Sequence, residues 1–283
     1  MKRKVIIVTL VILALVVAFL VGFILVNLST KKEETTNENE TIQKQEEVEE
    51  VKKEEKQSVA LDSKIGAKIL SKLMFPNIYS KTLFEELDKN GVTGDFKVMY
   101  TFSLITSYQN YSNYLREGQD YVGNYITKDD LEKVAKTIFY DTSNLKHQNV
   151  FDQGTYNAEK ENYVIVAKGY LGSNVDYVIE VPYEIYEYND KVEVNAYKLY
   201  VSREFDLEDL TKTPTDNIYY DENMQNLALK VSDEKMLDEV DGQKEFINEK
   251  IKSQEILKSN LKTVTWTFKK QEVDYLIVDY KNN

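Results

Sequence analysis

Between Val5 and Val26 the chain passes through 22 consecutive apolar or small residues without a charge, flanked by Lys2, Arg3 and Lys4 before it and Lys31 and Lys32 after it. At about 1.5 Å per residue a helix of this length reaches about 33 Å, enough to cross a hydrocarbon core of roughly 30 Å. Residues 5–26 are therefore expected to form a transmembrane signal anchor, with residues 1–4 as a cytoplasmic stub. Everything able to fold or bind is expected after it. The three leading basic residues and the α-amino group favour a cytoplasmic N-terminus and an extracytoplasmic C-terminal domain, a single pass through the cell membrane. A cleavable signal peptide would carry an apolar core of about 7 to 15 residues and end in an A-x-A-like site. This run is longer and leaves through Val26-Asn27-Leu28-Ser29-Thr30.

Residues 27–58 are rich in Glu, Lys, Thr and Asn and nearly devoid of large apolar side chains. Ile42, Val48 and Val51 make no heptad seam, so the segment reads as a charged, self-repelling flexible tether. From Thr41 onward its Glu, Lys and Gln residues favour partial helix. After residue 32 the chain holds 31 basic and 48 acidic side chains, a net charge of −17. Such a surface repels nucleic acid and anionic headgroups, so no nucleic-acid partner is expected. With no cysteine, disulfides, thiolate metal sites and cysteine nucleophiles are excluded.

The remainder is expected to be α+β, a helical part over 59–140 followed by a mainly antiparallel sheet over 141–283. Leu61, Ile65, Ile69 and Leu73 recur at helical spacing up to Phe75-Pro76, and Leu83, Phe84 and Leu87 precede an Asn90-Gly91 stop. Phe96 to Ile105 suits a buried helix. Thr127 to Asp130 resembles a capping box ahead of Leu131, Val134, Ala135, Ile138 and Phe139. After Tyr140 the period changes to two, predicting strands over 163–170, 175–188 and 191–201, with Asn189-Asp190 as a hairpin turn. That turn sets Ile185 opposite Val194 and Tyr183 opposite Ala196. Beyond Ala196 the alternation slips by one, which predicts a β-bulge at Ala196-Tyr197 beside Pro182. Glu204 to Gln225 reads as a loop before the apolar Leu227 to Val231, and Glu245 to Ser259 as a helix. Val264, Trp266 and Phe268 should face Val273, Tyr275 and Ile277 in a final hairpin whose last strand is covered on both faces.

Catalytic motifs are sparse. His147 is the sole histidine, and it sits in a polar connector without a G-x-S-x-G elbow or a second histidine. Ser-x-x-Lys recurs, at Ser143/Lys146, Ser232/Lys235 and Ser259/Lys262, yet no Lys-Thr-Gly partner accompanies it. Asp238, Asp241 and Gly242 fail the spacing of a calcium loop, because Gly242 at its sixth position puts Leu237 at the first. Carboxylates are too abundant for any one pair to stand out. No cofactor or metal is expected. Tyrosine is the unusual abundance, with 21 residues. Most suit half-buried strand positions, whereas Tyr186 and Tyr188 fall on the polar face beside the hairpin turn and are the expected ligand or partner surface.

The tail Lys262-Thr-Val-Thr-Trp-Thr-Phe-Lys-Lys followed by Tyr275-Leu-Ile-Val, together with the anchor and charged tether, resembles uncharacterised single-pass envelope proteins of low-GC Gram-positive bacteria. The helices-then-curved-sheet order also resembles α+β cones of the nuclear-transport-factor type. Neither resemblance carries over a functional residue. The expectation is a non-enzymatic binding or assembly module, anchored in the membrane and meeting an envelope or membrane protein. An envelope hydrolase using acidic residues is the alternative.

Overall fold

The computed structural model describes residues 55–73, 80–118, 123–151, 153–165, 174–209, 212–232 and 240–283. The anchor at 5–26, most of the tether, Phe75-Pro76, Asp238 and residues 166–170 of an expected strand lie outside the described residues. Among those described, no helix is long and apolar enough to cross a membrane.

A long hairpin organises the fold. Strands β5 (Asn174–Glu187) and β6 (Lys191–Glu204) have 14 residues each, rich in the β-branched and aromatic side chains that fit a pleated surface. They join across Asn189-Asp190, where the Tyr188 N–H donates to the Lys191 carbonyl at 2.9 Å. Strand β1 (Gln57–Val59) pairs with the end of β5, Val59 opposite Ile185. Two further hairpins dock end to end on the other edge of β6. Strands β7 (Thr215–Tyr219) and β8 (Leu227–Val231) meet it along Tyr200–Glu204, and β9 (Lys262–Lys270) and β10 (Tyr275–Asn282) along Lys191–Lys198. These strands all pair antiparallel. The architecture is α+β with a mainly antiparallel sheet, as the change of period indicates.

The forked sheet carries a core on each face. On the first face Val178, Ile185, Val192, Val194, Trp266, Phe268 and Ile277 pack beneath helices α1 (Lys64–Leu70), α2 (Ser80–Asn90), α3 (Gly94–Ser107) and α4 (Lys128–Ala135). Thr93 and Thr127 cap α3 and α4, each accepting the N–H three residues on, which satisfies a donor that the first turn leaves orphaned. Gly91 ends α2 at φ +72°, a left-handed position where glycine meets no Cβ penalty. On the second face Val175, Tyr177, Ile179, Leu199, Val201 and Ile218 pack with Ile247 of helix α5 (Val240–Lys252) and with Ile256.

This double coverage corrects the expected bulge. Strand β6 pairs without interruption through Ala196 and Tyr197. Pro182 faces Ala196 and Glu184 faces Asn195, so the extra residue is Tyr183, on β5. The alternation slips in sequence because the outer half of β6 is buried on both faces, and apolar residues fill both sets of positions there.

Other elements also depart from expectation. The tether expected to reach residue 58 gives way to β1 at Gln57, because Gln57–Val59 is used as sheet edge, and the helix expected from Leu61 begins at Lys64, after a Ser63 cap. The fourth helix stops at Ala135; Ile138 and Phe139 leave it buried, and the Ile277 N–H donates to the Ile138 carbonyl at 2.8 Å. The supposed loop over 204–225 contains β7, and α5 ends at Lys252 rather than Ser259. In the last hairpin Phe268 faces Ile277, while Trp266 faces Tyr280 and Val273 stands in the connecting loop at 79% exposure. The last strand is not covered on both faces. Val278 sits at a bulge, 43% exposed. A small sheet of β2 (Tyr125–Thr127), β4 (Asn162–Ile165) and β3 (Gly154–Asn157), in that order, flanks the first core.

Candidate binding face and the buried ionic cluster

Past the bulge, the second face of the sheet emerges from beneath its core. Register sets Ser58, Tyr186, Glu193 and Thr267 in one row across β1, β5, β6 and β9, and Glu184, Asn195 and Thr265 in the next. These side chains are exposed or half-buried. Thr265 Oγ1 donates to Asn195 Oδ1 at 2.8 Å, so β6 and β9 are bonded side chain to side chain within the second row. Tyr186 lies under Lys56, whose Nζ is 3.3 Å from the ring centroid, a close cation–π contact. Desolvation, then the adjacent Glu184, push the Tyr186 hydroxyl above its ordinary value.

At the turn, the Tyr188 hydroxyl donates to Glu193 Oε2 at 2.9 Å, and Lys191 donates to Glu193 Oε1 at 2.8 Å. Desolvation raises the Glu193 carboxyl, but these two donors outweigh it and hold the group below its ordinary value. Tyr188 also borders a cleft of about 520 Å³ lined by Glu55, Lys56, Gln57, Glu187, Asn189 and Lys270. Lys270 pairs there with Glu187 at 2.5 Å. At the opposite end of the face Tyr183 stacks on Tyr197, centroids 4.2 Å apart, with Lys258 approaching both rings. The expected pair, Tyr186 and Tyr188, thus lies on or beside this face. The Tyr183–Tyr197 stack and Lys56 complete it and were not singled out by sequence. Lys56 belongs to the charged segment, where nothing local marks a sheet contact.

A second cluster of polar groups lies inside the first core. Lys198 Nζ meets both Asp88 oxygens at 2.6 Å, and Tyr280 and Trp266 donate to Glu180 Oε1 and Oε2 at 3.0 and 2.6 Å. Glu180 is 1% exposed, and burial is the main cause that pushes its carboxyl up to about 7, against the opposing pull of Lys198. It sits in packed core against Trp266 and Tyr280, whose ring centroids are 4.7 Å apart, edge to face.

His147 has a structural setting. Its Nδ1 lies 2.7 Å from the Tyr163 hydroxyl and its Nε2 3.1 Å from Glu132 Oε1, while its ring stacks on Tyr156. It ties α4 to the small sheet with both ring nitrogens occupied. Ser143, Lys146 and Ser259 lie in connecting segments and Lys262 opens β9; Lys146 pairs with Asp95 at 3.5 Å. Asp241 and Gly242 lie within α5. Among the described residues, no group of three or more His, Asp or Glu side chains is placed to hold a metal ion. Comparison of the chain with protein-family models, curated proteins and solved structures finds no match.

Proposed function

We propose that this chain is a membrane-anchored, extracytoplasmic binding or assembly module of the cell envelope, non-enzymatic, that engages an envelope or membrane protein through its open sheet face. Residues 5–26 are the single-pass anchor in this proposal, with the N-terminus cytoplasmic and the charged segment from 27 up to the binding face as the tether. The supporting observation is an asymmetry within one sheet. Helices seal its first face, whereas the inner half of the second presents tyrosines, threonines and carboxylates to solvent, beside a cleft at the hairpin turn. Tyrosine suits such a role because its ring gives contact area at little entropic cost and its hydroxyl remains a hydrogen-bonding group.

The test places photo-crosslinking side chains at Tyr186 and Tyr188 in the full-length chain within intact membranes. A discrete adduct at these positions, absent from an equivalent probe at exposed Val273, is expected. Equal labelling at all three positions, or protection of the domain from protease added to spheroplasts, overturns the proposal.

One observation favours the alternative of an acidic hydrolase: Glu180, with its raised carboxyl, lies near Asp88 through their shared contact with Tyr280. Its burial argues against substrate access. Hydrolysis of an envelope polymer by the purified protein, lost in Glu180→Gln with the fold intact, would establish that alternative.

A further inference from the structure

The Tyr280 hydroxyl lies 3.0 Å from Glu180 Oε1, 3.1 Å from Asp88 Oδ1 and 3.1 Å from Lys198 Nζ, with the Asn282 amide oxygen, an acceptor that supplies no proton, farther off at 3.4 Å. A phenol has one proton to donate and two lone pairs to receive. Lys198 donates into one lone pair, and the hydroxyl proton reaches one carboxylate. The other carboxyl then faces a phenol oxygen with no proton between them, unless it is itself protonated and donates into the second lone pair.

The extra proton belongs on Glu180. Lys198 directs its two shortest contacts to Asp88, while Glu180 is bonded by two neutral groups, the Trp266 indole and the Tyr280 phenol. With Glu180 neutral, the ammonium of Lys198 and the carboxylate of Asp88 cancel. A second buried negative charge would have no cation of its own.

We propose that Asp88 and Glu180 share one proton through Tyr280, and that its uptake and release is a pH switch in the packing of α2 and β10 on the central hairpin. The titratable and charged groups facing Glu180 are Lys198 and Tyr200 from β6, Asp88 from α2, Tyr280 from β10 and Tyr100 from α3. Asp88, with its side chain 20% exposed, is the cluster's contact with solvent. On release, the proton passes to water, the Tyr280 hydroxyl donates to one carboxylate, and repulsion between the two loosens the junction of α2, β5, β6 and β10. The sign follows from burial, which lifts the Glu180 carboxyl from its ordinary 4.5 to about 7 in the folded chain. The folded state binds the extra proton, so its contribution is full below 4.5 and is lost as pH rises towards 7.

The chain carries its own reporter, since Trp266 is its sole tryptophan and its indole bonds Glu180. Tryptophan emission of the full-length protein, titrated upward from mildly acid pH, should change with a midpoint near 7, and Glu180→Gln should abolish the change. Infrared difference spectra of the unmutated protein should show a protonated-carboxyl C=O band lost over the same interval, a readout independent of whether the variant folds. An unmutated protein flat in both measurements overturns the proposal. So does a transition that persists in a folded Glu180→Gln variant.

Discussion

Deleting one residue from each strand of the central hairpin separates the observed register from the one first expected. Tyr183 is the unpaired residue of β5, so its removal leaves Pro182 opposite Ala196 and Glu184 opposite Asn195, a regular ladder. The loss is confined to one stacked tyrosine pair, 4.2 Å between centroids, worth about 0.5–1.5 kcal/mol, together with part of a half-buried ring. Removing Ala196 instead shifts Lys191–Asn195 by one position against both β5 and β9. Val192 and Val194, fully buried in the first core, would then turn to the polar face. At about 1.5–3 kcal/mol each their exposure removes roughly 3–6 kcal/mol, a large part of the 5–15 kcal/mol that holds a typical domain. Urea unfolding followed by far-UV circular dichroism should give a modestly lowered midpoint for the Tyr183 deletion and a severely weakened or unfolded chain for the Ala196 deletion. Equal midpoints, or the opposite order, would refute the register and with it the placement of Tyr186 on the open face.

Three further outcomes are expected. Asp216 is fully buried and holds Arg203 through two bonds, at 2.8 and 3.0 Å; Asp216→Ala should lower stability by about 3–5 kcal/mol by stranding the guanidinium, read from the urea midpoint. Gly94 approaches the Asn144 carbonyl oxygen so closely that an added Cβ would lie 1.8 Å from it, so Gly94→Ala should lower the melting temperature markedly even though alanine favours helix. Glu193, held below its ordinary value by Lys191 and Tyr188, contributes stability above the ordinary carboxylate range that is lost as pH falls through its lowered value; Glu193→Gln should shrink the fall in urea midpoint on acidification.

The parts of the fold legible in sequence are those whose burial follows one simple period. The inner half of β6 has one buried and one open face, so Val192 and Val194 alternate with Glu193 and Asn195, and the turn and the Ile185–Val194 pairing could be read directly. Strand β7 could not, because two of its buried residues, Asp216 and Asn217, are polar and bond to Arg203 and Glu204 across the ladder. A buried aspartate looks like loop until its partner is known. The site divides in the same way. Tyr186 and Tyr188 were visible through their strand position, whereas Asp88, Glu180, Lys198 and Tyr280 come from four elements, with Asp88 and Tyr280 separated by 192 positions. No local pattern links them.

The sharing of β6 by both cores has a consequence for how the chain comes apart. Val194 faces the helical side and Leu199 the α5 side of the same unbroken strand, and the β7 and β9 hairpins lean on successive stretches of one edge. Opening either lobe exposes a strand on which the other depends, so neither can melt as an independent unit. Native-state hydrogen exchange should give β6 amides on both halves one common opening free energy, equal to that of global unfolding, and calorimetry should record a single transition.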